Sequence, residues 1–187
     1  MLNYNSSLKE DKNYQGLIVR EISPIMKLNL RGKSREFLTT IGKNINMILP
    51  MEANTSSSSD NYTSMWLSPD EWMVFSNKIV DKENNNYDIE KLLFNKISKT
   101  KLGSVTDISD QFVMMKLNGE KIFDLLSTGC PFDFSDFRLK VGSVTQTLLT
   151  HIDVIIHHKE ANSVNLFVRR SFSEHLMSWI NDSASRL

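Results

Sequence analysis

The segment from Val105 to Phe134 combines strand, turn and helix patterns without interruption, and it constrains the fold more than any other part of the chain. Val105 to Ile108 is rich in β-branched residues and predicts a short strand. Polar residues 109–111 then predict a turn, and the apolar run from Phe112 to Leu117 predicts a second strand that is buried on both faces. We expect the other elements to pack against this segment.

A helix of about two turns is predicted directly after the second strand. Ile122, Leu125 and Leu126 recur at spacings of three and four residues, which places them on one helical face. Residues that cap or end a helix stand on both sides: Asn118 or Gly119 before it, and Gly129 and Pro131 after it. The strand therefore leads straight into a helix.

The first half of the chain predicts a strand, a helix and a hairpin. Apolar residues alternate from Met26 to Leu30 and indicate a strand. Ser34 is a typical N-cap, and the apolar residues that follow at helical spacing predict a helix that ends at Gly42. Met65–Leu67 and Trp72–Phe75 predict the two strands of a hairpin, because a proline-containing turn lies between them.

Three polar segments of the first half are predicted to be irregular. Residues 1–15 are expected to form a frayed N-terminal tail, Asn54–Ser64 a mobile surface loop, and Asp81–Asn86 a second loop. A helix is predicted after the third segment, where apolar residues recur at helical spacing: Ile89, Leu92, Leu93 and Ile97.

The residues after Phe134 predict strands followed by a closing helix. A long strand-rich stretch from Val144 to His158 and a strand from Val164 to Arg170 flank a turn-type loop, which predicts a hairpin. Ser171 and Glu174 have the spacing of a capping box, so the helix is expected to begin at Ser171. Its apolar stripe comprises Phe172, Leu176, Trp179 and Ile180.

The order of these elements predicts an α+β fold made of two similar halves with mostly antiparallel sheets. The halves span about residues 16–108 and 109–187, and each is expected to be an α/β sandwich packed closely against the other. No repeat is visible at the level of single residues. Four side chains on patterned faces are expected in the apolar cores: Trp66, Trp72, Leu125 and Trp179.

The composition excludes several classes of function. Lysine and arginine total 22, and aspartate and glutamate total 22, so the net charge of zero gives no general attraction to nucleic acid or to an anionic membrane. No segment approaches the roughly 20 consecutive apolar residues of a membrane-spanning helix. The single cysteine, Cys130, cannot form an intrachain disulfide, and together with a polar N-terminus it predicts a cytoplasmic protein.

The sequence offers no convincing catalytic, cofactor or metal site. Glycine-rich phosphate-binding loops of the common types are absent. His157 and His158 are adjacent on a predicted strand, so their side chains are expected on opposite faces. On an unbroken strand His151 would lie about 20 Å from His157, which is too far for the two residues to share a metal ion.

Five polar or reactive residues have both a structural and a functional interpretation. Cys130 follows the end of a helix and is expected to be a buried structural thiol. Asp107 and Asp110 suit either turn formation or proton transfer, and turn formation is favoured. Arg169 and Arg170 suit a solvated strand end, an anionic ligand such as a polyglutamylated folate, or a carboxylate on a partner.

Five short motifs occur in a definite order: Trp66–Trp72, Thr106–Ser109, Gly129–Asp133, Thr147–Leu149 and Val168–Phe172. In this order they resemble the gamma subunit family of heterotetrameric sarcosine oxidase, over roughly residues 17–181. The serine-rich Asn54–Ser64 segment and the Ser135–Gly142 segment depart from the pattern of that family, which leaves the shape of these two loops open.

The resemblance implies an aminomethyltransferase-like, folate-binding fold. It also implies a non-catalytic subunit of a complex that oxidatively demethylates sarcosine to glycine with folate-linked one-carbon transfer. The large flavoprotein and folate-handling subunits would be the partners, and FAD, FMN, NAD and tetrahydrofolate would bind to those subunits. The chain would support the folate-handling part of the large subunit and would be inactive alone.

The alternative interpretation is a stand-alone folate-binding protein or one-carbon transferase of the same fold group. Within that group, the iron-sulfur-linked folate-binding relatives carry a Lys-Gly-Cys-Tyr-type signature. The corresponding cysteine here lies in Thr128–Pro131, which lacks the other residues of that signature. Binding of reduced folate by the isolated chain would separate the two interpretations.

A subunit without chemistry of its own needs a surface for its partner. Phe132, Phe134 and Phe137 lie close together in a segment without helical or strand periodicity. These rings either fold over the predicted 122–126 helix or contact a partner, since aromatic residues are enriched at interfaces. We expect at least one of them to be exposed in the isolated chain and to contact the large subunit. Two further interface candidates are Arg169 and Arg170.

Overall fold

The computed structural model describes residues 6–8, 10–22, 24–79 and 87–187. Within these ranges the strands are β1 Lys12–Tyr14, β2 Leu17–Ile22, β3 Lys27–Arg31, β4 Ser56–Ser58, β5 Tyr62–Ser68, β6 Glu71–Ser76, β7 Ser104–Asp107, β8 Phe112–Asn118, β9 Val144–Leu149, β10 Ile152–Glu160 and β11 Ser163–Arg169. The α-helices are α1 Arg35–Ile45, α2 Tyr87–Leu93, α3 Ile122–Ser127 and α4 Ser173–Ala184. A π-helical turn spans Phe94–Ser98, and 3-10 turns span Phe137–Leu139 and Arg170–Phe172. The predicted Asp81–Asn86 loop lies outside the described residues.

The chain divides into two compact units, one of residues 1–23 with 111–187 and the other of residues 24–110. This division corrects the predicted halves of 16–108 and 109–187 at their N-terminal end. β2 pairs with β8 in the first unit, whereas the prediction assigned it to the other half. The pairing is non-local, so no pattern within β2 itself could indicate it.

Residues 1–15 do not form a frayed tail throughout, as had been predicted. β1 pairs with β2, and the Leu8 side chain is buried in the core of the first unit. The backbone N–H of Leu8 donates to Glu21 Oε2 over 3.0 Å. Residues 1–5 and 9 lie outside the described ranges. β1 has no apolar pattern of its own, because an edge strand can be held by backbone pairing alone.

The first unit contains a six-stranded antiparallel sheet in the order β1-β2-β8-β11-β10-β9. Its apolar core joins alternate strand residues such as Leu117 and Leu166 to α3 and α4. Leu125 of α3 is fully buried in this core, and Trp179 of α4 is half-buried against it. The predicted strand at 112–117 and the predicted helix after it are therefore confirmed as β8 and α3.

The second unit contains a five-stranded antiparallel sheet in the order β4-β5-β6-β3-β7. Phe37 of α1 and Leu93 of α2 share an apolar core with Trp72 of β6. The Trp72 ring lies 6.1 Å from the Phe37 ring, and its Nε1 donates to Pro50 O over 2.8 Å. Trp66 is half-buried against the same core, so all four predicted core side chains pack as expected.

Several elements of the second unit begin and end close to the predicted residues. The β5–β6 hairpin is confirmed, and Ser34 caps α1 because its Oγ accepts a hydrogen bond from Phe37 N over 3.0 Å. α1 continues past the predicted end at Gly42 and stops at Asn46, which has a φ of 51°. The serine run at 56–58 forms β4 and not a mobile loop, because its backbone pairs with β5.

The stretch from Val144 to His158 is two strands and not one long reach. Thr150 and His151 have φ values of 54° and 74° and form a tight turn between β9 and β10. Non-glycine residues rarely adopt such values, so the sequence contained no signal for this turn. The following hairpin, β10–β11, is confirmed.

The starts of α3 and α4 differ from the predictions. α4 begins at Ser173 after a 3-10 turn, so Ser171 does not cap it, and Phe172 is exposed. Residue 121 is the N-cap of α3, in place of the predicted Asn118 or Gly119. Gly119 has a φ of 134°, and a Cβ there would lie 2.1 Å from Gly16 O. The glycine is therefore required for this close approach of two backbone segments.

None of the helices in the described part of the chain has the length and hydropathy of a membrane-spanning helix.

Candidate functional site

The phenylalanines after α3 form an aromatic cluster with Phe123 of that helix. Phe134 and Phe137 lie 5.7 Å and 6.3 Å from Phe123, measured between ring centroids. Phe132 lies 5.1 Å from Phe134 and 5.6 Å from Phe137, both in edge-to-face geometry. Edge-to-face pairs at these distances are favourable because the positive ring edge meets the negative ring face.

This cluster contradicts the expectation that at least one of the three rings is substantially exposed. Phe134 and Phe137 are only 4% and 6% exposed, and Phe132 is partly buried against the core of the first unit. The rings cover one another and pack on α3, so they are removed from water without a partner protein. The rings therefore fold over the helix, which is the other arrangement that the sequence allowed.

His158 completes the cluster from β10. Its ring stacks on Phe137 at 5.8 Å and meets Phe123 edge-on at 5.4 Å. Its Nδ1 lies 3.1 Å from Phe137 O and 3.0 Å from Lys140 O, so Nδ1 carries a proton and donates to these carbonyls. His158 Nε2 is buried and has no hydrogen-bond partner in the described part of the chain.

The remaining predicted interface residues lie elsewhere on the first unit. Arg169 is exposed at the end of β11 and lines a groove of about 460 Å³ together with Leu148 and Asp153. Arg170 is partly buried, and its backbone N–H donates to Gln111 O over 2.8 Å.

The structure does not bring these arginines and the phenylalanines together. His158, at the aromatic cluster, pairs with Val164. Val164 precedes Arg169 by five residues, or about 16 Å of strand. The two arginines and the three phenylalanines therefore lie in different parts of the first unit.

The histidines do not form a metal site in the described ranges. No group of three or more His, Cys, Asp and Glu side chains there is arranged to hold a metal ion. His151 lies in the turn before β10, so no unbroken strand joins it to His157. The His151 side chain is exposed, whereas the His157 and His158 side chains are both buried.

His157 is a buried neutral imidazole. Asn165 Nδ2 donates to its Nδ1 over 3.2 Å. Burial, and secondarily the charges of His158 and Lys159, lower the pKa of His157 from 6.5 to about 4. The residue therefore stays uncharged at neutral pH, which fits its position inside the sheet.

Asp107 and Cys130 have structural roles in the fold. Asp107 Oδ1 accepts hydrogen bonds from Ser109 N and Ser109 Oγ over 2.9 Å and 2.5 Å, which is the turn chemistry that the sequence favoured. Cys130 is half-buried, less than predicted, and its Sγ lies 3.6 Å from Thr147 Oγ1.

Comparison with known proteins decides the family. The profile of the sarcosine oxidase, gamma subunit family matches residues 32–186. The chain belongs to this family. The "Sarcosine oxidase subunit gamma" of Corynebacterium sp. (strain U-96) is 26% identical over 121 residues, which are 65% of this chain and 55% of that protein. The match therefore spans about half the length of this relative.

Solved structures show that the family fold extends over nearly the whole chain. A chain of the heterotetrameric sarcosine oxidase from Corynebacterium sp. U-96, in complex with pyrrole 2-carboxylate, superposes with a TM-score of 0.81 and 21% identity. The superposition covers 94% of this chain and 87% of that one. The glycine cleavage system aminomethyltransferase T from Bartonella henselae superposes with a TM-score of 0.63 and 14% identity. That superposition covers 90% of this chain and 48% of the other. The predicted aminomethyltransferase-like α+β fold of this gamma family member is thus confirmed.

All five candidate interface residues of this gamma family member lie within the matched range 32–186. The segment 135–142, which departs from the family pattern in sequence, contains Phe137 and the 3-10 turn that His158 holds. Contacts with His158 of β10, within the chain itself, therefore help to set the shape of this loop.

Proposed function

We propose that this chain is a non-catalytic, gamma-type subunit of a heterotetrameric sarcosine oxidase complex. The complex would oxidise sarcosine to glycine with folate-linked one-carbon transfer. The observation that carries the proposal is the family match over residues 32–186. Superposition of 94% of the chain on a chain of a heterotetrameric sarcosine oxidase supports it.

The buried polar side chains of the chain are consistent with a structural role. His158 holds the backbone of the aromatic cluster, and His157 bonds to Asn165. Lys27 is buried, and its Nζ donates to Ile25 O and Ser109 O over 3.3 Å and 3.1 Å. Each of these groups stabilises the fold from inside a core, where a substrate would have to displace packed side chains to reach it.

The cofactors of the reaction belong to the partners in this proposal. FAD, FMN, NAD and tetrahydrofolate bind to the large flavoprotein and folate-handling subunits, and this chain supports the folate-handling part of the large subunit. The assembled complex is cytoplasmic, as the sequence predicts.

Co-expression tests the proposal directly. The full-length chain carries an affinity tag and is produced with the other subunits from the same genome, and separately without them. We expect the co-expressed sample to contain the large subunit in stoichiometric amount, to show flavin absorbance and to oxidise sarcosine. The chain purified alone is expected to show neither flavin absorbance nor sarcosine turnover.

Two results would contradict the proposal. Sarcosine oxidation by the chain alone would show that it carries its own chemistry. Stoichiometric binding of a reduced folate by the isolated chain in calorimetry, with no capture of the large subunit, would favour a stand-alone folate-binding protein.

A further inference from the structure

A groove beside the C-terminal end of α1 combines an apolar lining with exposed apolar side chains. It encloses about 690 Å³ and is lined by α1 and the residues that follow it, among them Leu38, Met47 and Leu49. Ile48 and Met51 also line it and are 84% and 62% exposed. Large exposed apolar side chains next to a concave surface mark binding sites more often than isolated surface residues do.

Hydrogen bonds anchor the backbone of the loop that carries these two side chains. Ser57 Oγ donates to Ile48 O over 2.6 Å. Trp72 Nε1 donates to Pro50 O over 2.8 Å, and Pro50 itself is buried. These hydrogen bonds fix two backbone carbonyls of the loop that carries Ile48 and Met51. The loop is therefore already ordered, which lowers the entropic cost of binding a partner.

Lysine side chains flank the groove. Lys43 lines it in the last turn of α1, and Lys96 Nζ donates to Asn44 Oδ1 of the same turn over 2.9 Å. Within the ranges that the structure describes, neither lysine forms an ion pair with a carboxylate. Lys43 is the charged side chain among the lining residues, and Lys96 lies beside the same turn of α1. Positive charge therefore borders one side of the apolar groove.

We propose that this lysine-flanked groove binds an acidic, amphipathic segment of the large subunit. The inference rests on the proposed function, since it names the surface through which the chain joins the complex. Apolar side chains of the segment contact Ile48 and Met51, and its carboxylates pair with Lys43 and Lys96. An apolar centre with a charged rim is the usual anatomy of a protein interface, and opposite charges speed the encounter of the partners.

A protein segment fits the groove better than a nucleic acid does. The most exposed apolar groups, Ile48 and Met51, have no aromatic face on which a base could stack. The net charge of the whole chain is zero, so its general attraction to a polyanion is weak. The apolar contacts must therefore supply much of the affinity.

Binding of the tagged large subunit from the same genome tests the groove. Biolayer interferometry with the full-length chain would compare wild type, Ile48→Ser/Met51→Ser and Lys43→Glu/Lys96→Glu. The first double variant is expected to weaken binding by about tenfold or more at any salt concentration. The second is expected to do so in about 0.05 M NaCl, with a smaller effect in about 0.5 M NaCl because salt screens charges.

Matched controls come from the other unit. Leu139 and Val141 are 77% and 60% exposed there, and Lys140 lies between them. Leu139→Ser/Val141→Ser and Lys140→Glu are expected to bind the large subunit as wild type does. Thermal unfolding of every variant identifies any loss of binding that reflects loss of folding.

The possible outcomes separate the groove from the proposed function. If the wild-type chain binds the large subunit and the groove variants bind it equally well, the groove proposal is contradicted and the proposed function is not. The same holds if the control variants lose as much binding as the groove variants. Failure of the wild-type chain to bind the large subunit would contradict both proposals. If the groove variants instead lost only self-association in ultracentrifugation, or only binding of a labelled single-stranded DNA, the acidic protein segment would be the wrong occupant.

Discussion

The side chain of His158 stacks on the ring of Phe137 and bonds to the backbone of the same residue. The ring centroids lie 5.8 Å apart at an interplanar angle of 27°, and His158 Nδ1 lies 3.1 Å from Phe137 O. The same nitrogen lies 3.0 Å from Lys140 O. One imidazole thus fixes both ends of the 3-10 turn that follows the aromatic cluster.

Removal of this donor should destabilise the first unit. His158→Phe keeps an aromatic ring but leaves the two carbonyls without their N–H partner, so we expect a loss of about 1–3 kcal/mol in the free energy of unfolding. Urea denaturation at neutral pH measures it. His151→Phe, at an exposed position of the β9–β10 turn, is the control and should change stability much less. Equal stability of His158→Phe and wild type would show that these hydrogen bonds do not stabilise the fold.

The low pKa of His157 predicts that stability falls in mild acid. The folded chain keeps this imidazole neutral down to about pH 4, whereas the unfolded chain binds a proton below about pH 6.5. Between these values protonation favours the unfolded state, so stability should decrease as the pH falls and should not depend on His157 above this window. Each pKa unit corresponds to about 1.4 kcal/mol, which gives a total of about 3 kcal/mol.

A variant comparison isolates this contribution from the titration of carboxylates. Urea denaturation between pH 4 and 8 would be compared for wild type and His157→Gln, which cannot take up a proton in this range. The free energy of unfolding of wild type, relative to that of His157→Gln, should decrease as the pH falls from 6.5 toward 4 and stay constant above pH 6.5. His151→Gln makes the same substitution at an exposed histidine and is the control. A difference that does not vary with pH would contradict the lowered pKa.

Elements with local signals were the predictable part of the fold. The β5–β6 hairpin and the Ser34 cap depend on residues within a few positions of one another, and both are confirmed. β1 and β4 are edge strands of polar residues, which pair through their backbones and leave no apolar alternation in the sequence. The pairing of β2 with β8 joins segments that are far apart in the chain, so local patterns could not assign it.

The candidate site was harder to predict for a related reason. The sequence shows three phenylalanines close together, and the prediction that one of them is exposed was wrong. Their packing against a histidine from β10 depends on tertiary contacts that the local sequence does not encode. The exposed Ile48 and Met51 follow a helix in a stretch with buried Met47 and Leu49, and without the fold all four look like core residues. Only the tertiary contacts of the loop, such as the hydrogen bond from Trp72 Nε1 to Pro50 O, distinguish the buried residues from the exposed ones.

The two serines that precede α1 and α4 should contribute differently to stability. Ser34 Oγ accepts the N–H of Phe37, so Ser34→Ala should cost about 1 kcal/mol. Ser171 has the sequence of a capping box but lies inside a 3-10 turn, so Ser171→Ala should change the free energy of unfolding by less than about 0.5 kcal/mol. Denaturation of the two variants side by side measures both. A larger loss in Ser171→Ala than in Ser34→Ala would contradict the observed helix start.

Gly129 and Trp179 should show strong energetic coupling. A Cβ on residue 129 would lie 2.5 Å from Trp179 Cζ2 and 2.9 Å from Thr150 Cγ2, closer than packed atoms allow. The backbone cannot easily retreat, because Gly129 O accepts the N–H of Thr150 over 2.9 Å. Gly129→Ala is therefore expected to cost about 1–3 kcal/mol through overpacking. Trp179→Ala is expected to cost about 2–3 kcal/mol, below the range for a fully buried tryptophan because the ring is half-buried.

The double variant distinguishes this clash from unrelated damage. In the Trp179→Ala background the alanine at position 129 meets empty space where the indole had been, so its cost should fall by about 1 kcal/mol or more. Urea denaturation of wild type, both single variants and the double variant completes the cycle. Strict additivity would mean that Gly129→Ala acts elsewhere, for example through Thr150, and that α4 does not pack its indole against the end of α3.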